Sequence, residues 1–333
     1  MRKIQLFILF FAFQTLLGQN SFIDIKRTAG YKGDFIPALE KKEAGLNFLV
    51  LGDFGRVGEY YQKEVAQQLG NAAFMLGSEF IISAGDNFYP NGVASVYDEH
   101  WKASFNDIYT HPALYVDWYA ALGNHDHRGS IQAQIDYTNI SRRWNMPASY
   151  YSETFELKDG SKLLLVVMDT NPFITSYQNN KEKYPALEHL DPEIQRKWLV
   201  ETLSAKDQEI AWKIVVGHHP LYSGGKRKDA EDTLDFERQF ADLFDSLKVD
   251  AYICGHEHDL QIIKPKGRYT TQFLSGSASE TRPSGNREGT IFAEAEPGFM
   301  SFTVNEERML IQSIKAHKDT AEILHSMELK RNK

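Results

Sequence analysis

Six of the eleven histidines fall in three short clusters, each just after a glycine: His125 and His127 behind Gly123-Asn124, His218 and His219 behind Gly217, His256 and His258 behind Gly255. Two more glycines precede carboxylates, in Gly52-Asp53 and Gly85-Asp86, and the second is followed by the phenol of Tyr89. Imidazole, carboxylate, amide and phenol are hard or intermediate donors that suit iron, manganese or zinc rather than Cu(I). A phenol with an ordinary pKa of about 10 ligates as phenolate near neutrality only beside a strong Lewis acid, for which ferric iron is the natural choice. Taken singly each cluster says little, since Gly-Asp is a routine turn, a His-X-His pair can sit on a surface, and Tyr89 could simply pack on Phe88. In an extended His256-Glu257-His258, however, both imidazoles would face one side and Glu257 the other, so that two ligands could reach neighbouring metals.

The elements that must position these groups follow from the apolar runs that precede them. Leu46 to Leu51, Phe80 to Ala84, Trp118 to Leu122, Ile210 to Val216 and Ala251 to Cys254 each read as a buried strand delivering a Gly-plus-polar loop at its carboxyl end. Helical patterns lie between them at Glu59 to Leu76, Pro192 to Leu203 and Thr233 to Leu247, the second with Asp191 as N-cap. Strands alternating with helices predict an α/β fold, whose ligands collect outside the carboxyl ends of its strands. Tyr150 to Leu157 and Lys162 to Met168 flank Asp159-Gly160, a hairpin signal, and Met300 to Val304, Met309 to Ile314 and Ala321 to Met327 read as further short strands, so the sheet arrangement is mixed. The long polar and aromatic stretch from Thr170 to Leu190 is either a lid or surface decoration.

The first twenty residues carry Arg2 and Lys3, an apolar run from Ile4 to Leu17, then small or polar residues, the pattern of a secretory signal peptide. That run is short for a bilayer span, and no later segment is long and apolar enough, so no membrane span is expected after signal cleavage. The formal charge of −8 becomes −10 once Arg2 and Lys3 are removed. Such a chain, without a long Lys/Arg cluster, is not expected to bind nucleic acid, and any attraction for phosphate must be local, as a metal pair would supply. Cys254 is the only cysteine, which excludes an intrachain disulfide and a cysteine zinc cluster and leaves it as a small core residue. Residues 1–20 are thus expected to be a signal peptide, 21–45 a lead-in, and 46–333 one catalytic domain that includes the C-terminal strands.

Five blocks stand in order: Gly52-Asp53-Phe54, Gly85-Asp86-Asn87-Phe88-Tyr89, Gly123-Asn124-His125-Asp126, Val215-Val216-Gly217-His218 and Gly255-His256-Glu257-His258. In these the chain resembles the purple acid phosphatases, within the calcineurin-like metallophosphoesterases, over about residues 46 to 305. Arg143-Trp144-Asn145-Met146-Pro147 and Met168-Asp169-Thr170 are similar to the short forms, like tartrate-resistant acid phosphatase. The resemblance implies an α/β fold of the α+β sandwich type, two packed mixed β-sheets flanked by helices. It implies a dinuclear centre of Fe(III) plus a divalent ion (Fe, Zn or Mn), with Asp53, Tyr89 and His258 on the ferric ion, Asn124, His218 and His256 on the divalent one, and Asp86 bridging. It places His125 where the family has a substrate-contacting histidine, with Asp126 orienting it, and puts the 170–190 loop where relatives can cover the site. His219 departs from the tyrosine expected at its position.

The implied activity is hydrolysis of small-molecule phosphate monoesters by metal-bound hydroxide, with His125 assisting the leaving group, in an exported, periplasmic or extracellular, monomeric acid phosphatase. Related enzymes share most of these ligands, so a phosphodiesterase or nucleotide hydrolase on the same dimetal scaffold is the alternative, against which Tyr89 argues. A non-catalytic module would be marked by a broken ligand set, and none is broken here.

Overall fold

Every residue of the run Leu46–Leu51 is buried, and it forms β1 at the centre of a seven-stranded sheet. Unbroken apolar runs of this kind mark strands covered on both faces. The computed structural model describes residues 36–40, 45–205, 207 and 209–331; the expected signal segment, and the lead-in apart from 36–40 and 45, lie outside the described residues. After β1 come α1 (Gln62–Leu76), β2 (Phe80–Ser83), β3 (Asp117–Ala120), α2 (Ile131–Tyr137), β4 (Trp144–Asn145), β5 (Tyr151–Glu156) and β6 (Lys162–Val167). The second half contains α3 (Pro192–Ser204), β7 (Ile210–Val216), α4 (Glu231–Ser246), β8 (Ala251–Cys254), β9 (Leu260–Ile263), β10 (Thr271–Ser275), β11 (Thr290–Glu294), β12 (Gly298–Val304), β13 (Arg308–Ala316) and β14 (Ala321–Lys330).

The first sheet has the order β14-β13-β12-β1-β2-β3-β4 and the second β11-β9-β10-β8-β7-β6-β5. Each has a parallel heart, β1 to β4 in one and β6, β7, β8 and β10 in the other. Antiparallel strands extend both, including the β5–β6 hairpin around Gly160, whose φ of 85° suits the turn. The α/β class and the two mixed sheets agree with the sequence-based expectation. Boundaries shift in two places for local reasons. α1 starts at Gln62 rather than Glu59 because Gly58 and Tyr60 adopt φ of 82° and 55°, which no right-handed helix contains. α4 starts at Glu231, placing Glu231 and Asp232 in its first turn, where the helix dipole favours negative charge. α3 opens as expected, the Asp191 carboxylate accepting from the Glu193 N–H at 2.9 Å.

Between the sheets, Phe80 of β2 stacks on Phe155 of β5 at 4.3 Å and on Phe48 of β1 at 4.8 Å, and Phe48 stacks on Phe302 of β12 at 4.9 Å. Each such side chain contributes about 1.5–3 kcal/mol when fully buried, enough to hold one sheet over the other. Leu199 and Leu203 of α3 and Phe236, Phe240 and Phe244 of α4 pack with Val166, Val215 and Tyr252 of the second sheet, and Cys254 lies in that same buried cluster. At the carboxyl ends of the parallel strands, Ser275 Oγ donates to the Val50 carbonyl at 3.0 Å, so the two sheets deliver their loops to one edge. Among the described residues no helix is long and apolar enough to cross a membrane.

Candidate metal centre

The loops that leave β1, β2 and β8 all turn through the left-handed region at a non-glycine: Asp53 at φ 60°, Asp86 at 51° and His256 at 71°. Such residues cost on the order of 1–3 kcal/mol each and persist where the surroundings over-determine them. Here the Asp53 N–H donates to the Gly85 carbonyl at 3.0 Å, and the His256 N–H donates to Asp53 Oδ2 at 3.0 Å. Two glycines let the carboxylates lean on bare backbone. A Cβ on Gly123 would lie 2.2 Å from Asp86 Oδ1, and one on Gly255 would lie 2.4 Å from Asp53 Oδ2.

The His256-Glu257-His258 segment is not extended, which corrects the alternation expected for it. The left-handed His256 and a Glu257 N–H to Gly255 carbonyl bond of 2.9 Å bend the chain at once after β8. Glu257 still turns away, accepting from Ser223 Oγ at 2.9 Å and the Arg227 N–H at 2.7 Å. The two imidazoles part company, one to each half of the site.

In one half, the Tyr89 hydroxyl lies 2.9 Å from both Asp53 Oδ1 and Asp86 Oδ2 and 3.2 Å from His258 Nε2. In the other, His218 Nε2 is 3.4 Å from Asp86 Oδ2 and 3.1 Å from His256 Nδ1, and Asp86, His218 and His256 offer ligand atoms all within 4.8 Å of one another. Asn124 Oδ1 is buried with no hydrogen-bond partner, between Gly123, which abuts Asp86, and His125, whose N–H donates to Asp86 Oδ1 at 2.7 Å. All seven expected ligand positions are buried, and Asp86 touches both halves.

Two of the three imidazoles bond an acceptor through the second nitrogen, and the third has a carboxylate in ion-pair range without a hydrogen bond. His218 Nδ1 is 2.8 Å from the Ala84 carbonyl, His256 Nε2 is 2.8 Å from Asp232 Oδ2, and His258 Nδ1 is 3.5 Å from Glu280 Oε2. Ligating histidines have this habit, because the outer acceptor fixes the tautomer and makes the inner nitrogen a better donor. The electrostatics also ask for positive charge. Burial disfavours a charged His218, but Asp86 and then Asp53 outweigh it and push the imidazole up to about 9. Burial, then the charges of Asp53 and Asp86, push the Tyr89 phenol well above its ordinary value. An orphaned buried amide oxygen, two buried carboxylates and three oriented imidazoles fit a pair of cations.

His125 lies at the rim, its side chain 21% exposed, whereas the seven are buried. Its Nδ1 is 2.6 Å from the Pro90 carbonyl and 3.0 Å from Arg128 Nη1, its ring is 4.3 Å from that of Tyr89, and Nε2 lies on the other side of the ring, 3.9 Å from Asp86 Oδ2. Asp126 does not orient that ring, contrary to expectation. Neighbours in sequence seldom face each other, and the Asp126 carboxylate points inward, accepting from the N–H groups of Asn87, Phe88 and Gly123 and from Gln134 Nε2 of α2 at 2.8–3.2 Å. Burial, then the charge of Asp86, raises this carboxyl to about 7. His219 is buried beside the second half, its ring 4.4 Å from that of His256, with Nδ1 2.7 Å from Thr170 Oγ1.

The 170–190 stretch is anchored rather than loose. Phe173 and Ile174 are buried against α4, and the Tyr177 hydroxyl reaches His219 Nε2 and Asp232 Oδ2, each at 3.3 Å. Asp232, Glu280 and Arg56 escaped the sequence reading. Asp232 and Glu280 belong to segments without a Gly-plus-ligand signature, while Arg56 follows Gly52-Asp53-Phe54-Gly55 but carries a cation that is no metal ligand; only the topology brings the three together with the histidines.

Residues 46–260 match the calcineurin-like phosphoesterase family. Purple acid phosphatase 7 of Arabidopsis thaliana is 35% identical over 283 residues, which cover 82% of this chain and 83% of that protein. Tartrate-resistant acid phosphatase type 5 of Oryctolagus cuniculus is 30% identical over 289 residues, covering 83% and 84%. Among solved structures, GAP50, the anchor in the inner membrane complex of Plasmodium, shares the fold with a TM-score of 0.74 at 22% identity, over 87% of this chain and 90% of that one. With such likeness along most of its length, the chain belongs to the calcineurin-like phosphoesterases and, among them, to the purple acid phosphatases, and so is a metal-dependent phosphoester hydrolase.

Proposed function

We propose that this chain is an exported acid phosphatase that cleaves phosphate monoesters at a dinuclear Fe(III)–M(II) centre. In this reading Asp53, Tyr89 and His258 hold the ferric ion, Asn124, His218 and His256 hold a divalent iron, zinc or manganese ion, and Asp86 bridges them. The observation that carries it is the Tyr89 hydroxyl set 2.9 Å from two buried carboxylates. A phenolate there adds a third negative charge to those of Asp53 and Asp86 in a water-poor site, and a trivalent cation answers that charge best. When bound, the pair supplies Lewis acidity to the phosphate and a water acidic enough to act as nucleophile.

The chain's own contribution is placement. Asp86 and the two left-handed turns around it hold both halves in register, and the buried ligands keep bulk water to the rim. His125, anchored through Nδ1 to Pro90, presents Nε2 to the departing alcohol oxygen, to which its imidazolium form donates a hydrogen bond or a proton. The apolar leader after Arg2 and Lys3 supports export, and residues 46–333 serve as one catalytic domain.

Metal analysis and a visible spectrum of the natively purified protein test this, with aryl monoester and diester hydrolysis measured across pH. A phenolate-to-iron absorption band with monoester turnover favoured at acidic pH is expected. A colourless protein active only with manganese or zinc, preferring diesters or rising in rate only above neutrality, would refute it.

A further inference from the structure

Arg56 lies in the loop after β1 and is not a ligand candidate, yet its guanidinium carbon sits 3.7 Å from the centroid of the Tyr89 ring. The same side chain donates from Nη2 to Glu280 Oε2 at 2.7 Å and from Nε to Ser279 Oγ at 3.2 Å, and Ser279 Oγ in turn donates to the Asp53 carbonyl. Glu280 Oε2 is also the acceptor facing His258 Nδ1, at 3.5 Å, with Arg282 Nη2 at 3.4 Å on its other side. The backbone of Arg56 is tied down as well, its N–H donating to the buried Gln62 Oε1 at 3.1 Å. Arg56 and Glu280, from loops more than two hundred residues apart, therefore reach Tyr89 and His258 directly, and Ser279 links Arg56 to the Asp53 backbone. Among the described residues neither side chain makes a hydrogen bond or ion pair with Asn124, His218 or His256.

We propose that Arg56 and Glu280 are positioning residues for that half of the centre alone. Arg56 clamps the Tyr89 ring from its face and Glu280 braces both Arg56 and His258, so the pair sets the electron density that Tyr89 gives to its cation. This rests on the assignment of Tyr89 and His258 as ligands. A cation above an aromatic face stabilises the electrons of the ring, and a desolvated contact at 3.7 Å is at the strong end of such interactions. It raises the energy needed to move an electron from phenolate to metal. A carboxylate behind a histidine strengthens the metal bond, and loss of such an outer partner weakens metal affinity by about 10–100-fold.

The test compares wild type, Arg56→Met, Arg56→Lys and Glu280→Gln, each purified with its native metals. The visible band of Arg56→Met is expected at longer wavelength, by an amount on the order of 10 nm for the loss of one cation–π contact, with Arg56→Lys in between because it keeps the charge. Glu280→Gln is expected to lose one of its two cations to a competing chelator about 10–100-fold more readily than wild type, while the other is retained as before. Should Arg56→Met fail to fold, Arg56→Lys and Glu280→Gln carry the comparison. A wild-type band position together with wild-type chelator resistance in the folded variants overturns the proposal. A wild type that holds two cations but shows no visible band sinks the ferric–phenolate assignment instead, and chelator release alone then judges the roles of Arg56 and Glu280.

Discussion

Asp232 Oδ2 lies 2.8 Å from His256 Nε2, on the side of the ring opposite the nitrogen that faces His218. The carboxylate also receives Arg227 Nη1 at 2.8 Å and stands in the first turn of α4. Burial opposes its charge, but His256 and then Arg227 hold it well below the ordinary carboxylate range, so it is an anion behind the imidazole at any working pH. This is the arrangement that leaves His256 Nδ1 free to bind a cation.

Asp232→Asn is therefore expected to weaken the cation of the His218–His256 half by about 10–100-fold and to spare the Tyr89 half. Chelator competition followed by metal analysis measures it. Equal loss from both halves, or none, would contradict the assignment.

His125→Ala should lower kcat by about 10²–10⁴-fold, the range for a general acid or base, while both cations stay bound. Asp86→Asn and His258→Ala should instead lose metal together with activity. Metal content measured beside turnover separates the two classes, and a metal-free His125→Ala protein would show that His125 is a ligand rather than a substrate contact.

Asp126→Asn sets an NH₂ group among the donors of Asn87, Phe88, Gly123 and Gln134, which now share one carboxylate. Unsatisfied buried polar groups cost about 1–3 kcal/mol, so thermal unfolding of the variant should come several degrees lower. An unchanged Tm would mean that water or a shift of α2 satisfies these donors.

Stripping the cations should lower Tm by roughly 5–10 °C and restoring them should reverse it, since a ligand at 100 times its dissociation constant stabilises by about 2.7 kcal/mol. The buried carboxylates of Asp53 and Asp86 are the cause, left close together with only imidazolium charge such as that of His218 to offset them. Calorimetry with and without chelator reads the difference directly.

What the sequence disclosed was the set of strand ends. A buried apolar run followed by glycine and a polar residue is a local pattern; five such patterns, with the resemblance they carry, picked out side chains that the structure gathers into one buried cluster, while the Asp159-Gly160 hairpin signal and the C-terminal runs announced the mixed sheets. The misjudged details are those that depend on a single backbone angle or on distant chain. Alternation fails in His256-Glu257-His258 because one residue is left-handed, and adjacency misleads for His125 and Asp126 because they point in opposite directions. β10 was hidden by its polar residues. Gln272 is buried there because its amide spans the Tyr222 backbone, donating to the carbonyl at 2.6 Å and accepting from the N–H at 2.9 Å.

Asp53 and His256 stand 203 positions apart, yet the backbone of one rests on the carboxylate of the other. A chain with a single cysteine has no cystine to stitch such remote segments together. Ions gripped from both sheets would do that sewing, closing a loop of about 200 residues, a length at which a covalent cross-link removes on the order of 5 kcal/mol of disorder from the unfolded chain. The catalytic centre would double as the seam of the molecule.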